Sequence, residues 1–157
     1  MTRRILLVAL AAAACARPER DAAAAVRRYD DALVRAYRRA DAAGLAEVAT
    51  ADEVRRVTAL IDLKSAARLV LESEIAAFQV DRAAADPSGT AIAVETTERW
   101  RYFDRHLVPG EPPGPTFESD MKMRYDLVRE GGAWKVRSVT TISNRLAPSP
   151  GTSGPSR

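Results

Sequence analysis

Apolar positions follow two different rhythms along this chain. Val26, Tyr29, Leu33, Ala36, Tyr37 and Ala40 recur at three- and four-residue spacing, which predicts a helix with one buried stripe. Pro18 suits a first helical turn, Glu19 and Asp21 suit the positive end of the helix dipole, and Gly44 is a natural stop. The other face carries arginine and aspartate, with Arg27 and Asp31 spaced for an i,i+4 pair, and reads as a solvated surface. A second helix is expected from Thr50, whose spacing to Glu53 is that of a capping box. Val54, Val57, Leu60, Ile61 and Leu63 form its apolar side, and the pattern extends the helix through KSAARLVLE, residues 64–72.

The rhythm then shortens to two. EIAAFQVDRA (74–83) predicts a first strand, and DPSGT (86–90) a turn. In the next stretch Ile92, Val94, Thr96, Glu98, Trp100 and Tyr102 share one face, while Ala93, Glu95, Thr97, Arg99 and Arg101 take the other. HLVPGEPPGPT (106–116) is proline- and glycine-rich and predicts a loop. Phe117, Met121, Met123, Tyr125 and Leu127 then alternate with charged residues. Gly131 and Gly132 predict a hairpin turn into a last strand in which Trp134, Val136 and Ile142 share a side. One apolar and one wet face is the antiparallel signature. Helices followed by a run of antiparallel strands give an α+β class, with the N-terminal helices expected over the apolar concave face of a curved sheet.

The N-terminus has a pattern of its own. MTRR is a short basic segment, and ILLVALAAAA (5–14) is an apolar run too short to span about 30 Å of hydrocarbon. Together they match a secretory signal peptide over residues 1–14. Ala12, Ala13, Ala14 and Cys15 resemble the lipobox of bacterial lipoproteins, although Ala12 stands where that family usually has leucine. Cleavage without lipidation would instead leave one unpaired thiol in an oxidising compartment, a liability with no visible use. The resemblance implies a diacylglycerol on Cys15 and an acylated amine, enough chains for stable anchoring. It implies an exported protein anchored to the cell envelope, on the periplasmic face of the outer membrane if the organism is Gram-negative. Residues 15–19 would form a tether holding a domain of residues 20–145 within about 20 Å of the bilayer. The tail from 146 to 157 is rich in Pro, Gly and Ser and is expected to be disordered.

Composition narrows the partners. Charged residues make up 29% and hydrophobic ones 46%, the balance of a folded soluble domain. The net charge of +3 falls to +1 once Arg3 and Arg4 are removed, leaving 22 basic against 21 acidic residues. Nucleic-acid binders carry a basic stripe or a strongly basic domain, so nucleic acid is not an expected partner.

The stretch MRYDLVREGGAWKV resembles the closing hairpin of the NTF2-like superfamily through Tyr125, Leu127, Val128, Arg129, Gly132, Trp134, Lys135 and Val136. TERWRYFD, with its following loop and strand, is similar to the IMS-type NTF2-like domains of bacterial envelope and plastid-division proteins. The resemblance spans roughly residues 20–143 and implies an NTF2-like cone. That superfamily holds isomerases, dehydratases, transport factors and interaction modules, so the fold alone selects no activity.

Candidate chemistry is sparse. His106 is the lone histidine and no His/Cys cluster accompanies it, so neither a metal nor another cofactor is expected. GEPPG lacks the helix and lysine of a phosphate loop. Glu98 alternates with Trp100 and Tyr102 and could face an aromatic-lined cone. Desolvated there, it could serve as a general base, with Tyr125 donating to an oxyanion. Pairing of Glu98 with a nearby arginine such as Arg99, Arg101 or Arg124, or a position near the open end of the sheet, is the simpler expectation. Trp100, Tyr102, Met121, Met123, Tyr125 and Trp134 form a soft cluster, either core or the wall of a pocket. The leading expectation is a non-enzymatic envelope lipoprotein that binds a protein partner or small apolar ligand, with a homodimer through the sheet as one assembly. The alternative is a cavity enzyme of isomerase or lyase type using Glu98 and Tyr125.

Overall fold

A computed structural model describes the backbone of residues 6–148 and the side chains of 18–146. Residues 1–5, the Cys15 side chain and the tail beyond Pro148 lie outside the described residues. Helix α1 spans Leu6–Arg39, a short 3-10 helix spans Ala43–Glu47, and α2 spans Ala51–Ala66. Four strands follow: β1 Leu69–Ala85, β2 Ala91–His106, β3 Phe117–Glu130 and β4 Ala133–Pro148. They pair antiparallel in the order β1-β2-β3-β4, so the protein is α+β, two helices on a curved four-stranded meander. Among the described residues no helix is long and apolar enough to cross a membrane.

The helical stripe packs as its spacing requires. Val26, Tyr29 and Ala36 are buried, with Leu33, Tyr37 and Ala40 packed against them, and Arg27 meets Asp31 on the outside at 3.4 Å. Helix α1 does not begin near residue 20. It runs from Leu6, so residues 15–19 are helical rather than an extended tether, and Pro18 lies inside the helix. At about 1.5 Å rise per residue, those five residues span about 7 Å. The helix ends at Arg39, before Gly44, where Ala40 takes a left-handed φ of 52°.

Helix α2 starts where expected, with Thr50 in extended geometry as N-cap, yet Thr50 makes no capping bond from its side chain. Glu53 has turned into the core instead of back to Thr50. The helix stops at Ala66, and Arg68 at φ 57° redirects the chain, so LVLE belongs to β1 and not to the helix. The alternation of Leu69, Leu71 and Ser73 with Val70, Glu72 and Glu74 carries that strand signal. Leu63, expected on the buried side, is 68% exposed.

Gly131 and Gly132, at φ 59° and 83°, form the two-residue turn that joins β3 to β4 with matching twist. The β3–β4 register shifts twice, between Asp126 and Leu127 and between Lys122 and Met123. Each extra residue on β4 reverses the facing that follows it. Trp134 and Val136 lie ahead of both bulges and are buried as the alternation requires, whereas Ile142 falls in the second bulge and is 53% exposed. The strand also continues to Pro148, into the stretch expected to be disordered from 146. The core fills the hairpin end of the concave face, where Ile92, Val94, Tyr125, Leu127, Trp134 and Val136 meet α1 and the 3-10 helix. The main chain seals this end further: Thr50 N–H donates to Val136 O at 2.9 Å, and Val136 N–H to Val48 O at 2.9 Å.

Candidate functional site

Period-two facing places Thr96, Glu98 and Trp100 of β2 inward, and Tyr125 of β3 beside them. Glu98 is 1% exposed, and none of the expected arginines reaches it. Arg99 pairs with Asp120, Arg101 with Glu74 and Glu118, and Arg124 with Asp126. Glu98 instead accepts three uncharged donors: Thr96 Oγ1 at 2.6 Å, Trp100 Nε1 at 2.6 Å and the Tyr125 hydroxyl at 2.8 Å.

The Tyr125 hydroxyl also lies 3.0 Å from Oδ1 of Asp30, a buried residue of α1. A hydroxyl has a single hydrogen, so it cannot donate to both carboxyl groups. With that hydrogen on the shorter contact to Glu98, the contact to Asp30 is a hydrogen bond only when Asp30 itself carries a proton. The electrostatics agree: burial, and then the charge of Glu98, push the Asp30 carboxyl well above its usual range. Burial likewise pushes the Tyr125 hydroxyl up, so it stays protonated. The second oxygen of Asp30, Oδ2, is buried with no partner among the described residues. Tyr29 packs edge-on against Tyr125, with ring centres 6.1 Å apart, and donates to Glu53 at 2.7 Å; Glu53 also receives Arg56 at 2.8 Å.

The other half of the concave face is open. A cleft of about 570 Å³ is walled by Leu69, Leu71, Tyr102, Phe103, Phe117 and Met121, with Ser73 in β1 and Asn144 in β4. Lys64 at the end of α2 and Gly114 and Pro115 of the proline-rich loop complete it. Gly114 N–H donates to Asp104 O at 2.8 Å and pins the loop there. Lys64 Nζ sits 2.7 Å from both carboxylate oxygens of Asp104. His106 ends β2 rather than sitting free in the loop; it lines the cleft, and its Nδ1 faces Glu111 at 2.8 Å.

Of the candidate pocket residues, Tyr102 and Met121 line this cleft, whereas Trp100, Met123, Tyr125 and Trp134 do not. Tyr125 and Trp134 are core, because the helices close over the hairpin end; Arg129 stacks on Trp134 at 4.9 Å. Glu98 and Tyr125 are brought together, but beneath the helices instead of in the cleft. Among the described residues no group of three or more His, Cys, Asp or Glu is placed to hold a metal ion.

Asp30 and Glu53 are buried acids outside the candidate set. Their signal was positional: Asp30 lies four residues after Val26 and three before Leu33, on the apolar stripe itself. Glu53 likewise lies four before Val57.

No family model matches the chain, and no curated protein matches it. Among solved structures, the intermembrane space region of the chloroplast protein ARC6 has a similar fold. The TM-score is 0.70 at 20% identity, over 78% of this chain and 95% of that one. At such identity the likeness concerns the fold.

Proposed function

We propose that this protein is an exported, lipid-anchored envelope protein with an NTF2-like domain that binds a small apolar ligand or a protein partner without catalysing a reaction. The observation that carries this reading is the separation of the acids from the cleft. Glu98 and Tyr125 would serve as base and hydroxyl donor only if a substrate reached them. Both are sealed from solvent with their bonds made inside the protein, and neither lines the cleft. The accessible cavity is mainly apolar, with few polar groups, as binding sites for small molecules are. The helix-then-meander order and the likeness to the ARC6 region support the NTF2-like cone.

Anchoring through Cys15 gains support from Pro18. Inside a helix a proline removes a hydrogen bond and crowds the preceding turn, at a cost of about 3 kcal/mol. In a chain beginning at Cys15, Pro18 would be the fourth residue, within the first turn, whose N–H groups have no helical acceptor. The anchored protein loses nothing at that position.

Cell fractionation of the wild type and Cys15→Ser tests the anchor. Wild-type protein is expected in the membrane fraction with an intact mass that includes acyl chains, and Cys15→Ser in the soluble fraction. Membrane retention of the variant together with an unacylated wild-type mass overturns the anchor.

A further inference from the structure

The cleft holds a polar group that folding leaves unused. Ser73 is 6% exposed, its cross-strand partner is Tyr102, and its hydroxyl has no hydrogen-bond partner among the described residues. A buried hydroxyl without a partner destabilises the folded chain, and an alanine there would avoid that penalty. The residue lies in the wall of the cleft, among Leu71, Tyr102 and Phe117. The oxygen is covered as it stands, so a ligand in the cleft supplies the missing partner once the hydroxyl turns toward the cavity.

We infer that the cleft is a site for a small, uncharged, mainly apolar molecule carrying one hydrogen-bonding group, which is seated on the Ser73 hydroxyl. This rests on the binding-module reading above and specifies its ligand. Charge complementarity fixes the neutral class. The ammonium of Lys64 is already taken by both oxygens of Asp104, and His106 faces Glu111. A charged ligand would therefore enter an apolar cavity without a free counter-charge, which is costly. The remaining wall is aliphatic, aromatic and thioether surface from Leu69, Leu71, Phe103, Phe117 and Met121, which favours a hydrocarbon or aromatic body.

The test uses the full chain carrying Cys15→Ser, in buffer free of detergent, titrated with two fluorescent probes sharing one aromatic skeleton. N-phenyl-1-naphthylamine is neutral and has one N–H; 1-anilinonaphthalene-8-sulfonate adds a fixed negative charge. The neutral probe is expected to bind saturably at one site, and the sulfonate at least about tenfold more weakly. Met121→Trp and Leu71→Trp each fill the cleft and are expected to abolish binding, so either one suffices if the other fails to fold. Ser73→Ala is expected to weaken the neutral probe about five- to tenfold while raising the melting temperature of the unliganded protein. No saturable binding of the neutral probe, or full binding to both filled variants, overturns the cleft as a small-molecule site and the ligand assignment with it. Binding blocked by the fillers but unchanged in Ser73→Ala overturns the role of the hydroxyl alone. A sulfonate bound as tightly as the neutral probe overturns the neutral class.

Discussion

The two ends of one concave face differ in how they are covered. At the hairpin end Tyr125 of β3 bonds Glu98 of β2 beneath the helices, and Tyr29 of α1 bonds Glu53 of α2. At the far end Ser73 has no such bond, and the wall beside it is open to solvent. The strands are the same and the alternation is the same; the difference lies in coverage. Where helices close over a sheet, a polar group without a partner in the protein costs about 1–3 kcal/mol, and Asp30 Oδ2, Thr50 Oγ1 and Trp134 Nε1 carry that cost at the covered end. Where only a loop crosses the sheet, an unpaired group can be left for a ligand. What separates the two ends is access: the acids lie beneath the helices, whereas Ser73 borders a cleft open to solvent.

The sharpest way to break this comparison is to truncate one leucine from each end. Leu127 is fully buried, and Leu127→Ala is expected to cost about 2–5 kcal/mol, read from urea unfolding. Leu71 lines the cleft and already borders a void, so Leu71→Ala is expected to cost about 1 kcal/mol or less. Equal losses would make the far end as much a core as the hairpin end.

Next in size is Tyr125→Phe, which removes the hydroxyl between Asp30 and Glu98. Two buried carboxyl groups lose their shared partner, and a loss of about 2–3 kcal/mol is expected in the same measurement. Ser73→Ala at the far end is expected to move stability in the opposite direction.

A smaller effect separates the ends by pH. The native Asp30 carboxyl titrates above its unfolded value of about 3.9, so the folded state holds a proton that the unfolded chain releases. Its contribution is fully present below about pH 3.9 and is lost as pH rises through the folded value. Asp30→Asn keeps a neutral donor toward Tyr125 and removes the titration. Its urea stability relative to wild type is expected to improve steadily with rising pH, by no more than about 1.4 kcal/mol per unit. A constant difference across pH would show that Asp30 is not the protonated member of the pair. The smallest effect is expected on the convex surface, where Arg99→Ala breaks an exposed pair with Asp120 and should leave the urea midpoint unchanged.

Much of this architecture was legible because local spacing encodes it. Ile92, Val94, Thr96, Glu98 and Trp100 face inward by strict alternation, and Gly131-Gly132 can hardly be anything but a tight hairpin. The departures from the pattern have local causes too. LVLE extends a helical pattern until Arg68 adopts a left-handed backbone that composition does not announce. Ile142 is displaced by bulges, which leave no signature in a period-two pattern. Glu53 satisfies the spacing of a capping box but is drawn inward by Tyr29, twenty-four residues away in sequence.

The candidate site was half legible. Sequence placed Glu98 and Tyr125 on one inner face and named Tyr102 and Met121 among the possible pocket residues. It could not show that helices would seal the first pair and leave the second pair open. Nor could it show that Asp30 would meet Tyr125 across ninety-five residues. By itself the sequence determined the helices-then-meander order and the inward face of each strand up to its bulges, because those follow from periods of 3.6 and 2 along the chain. Only the tertiary structure decided which end of that face is covered. Coverage depends on where helices of fixed length come to rest on a curved sheet, and it sets Asp30 beneath them and Ser73 beside the open cleft.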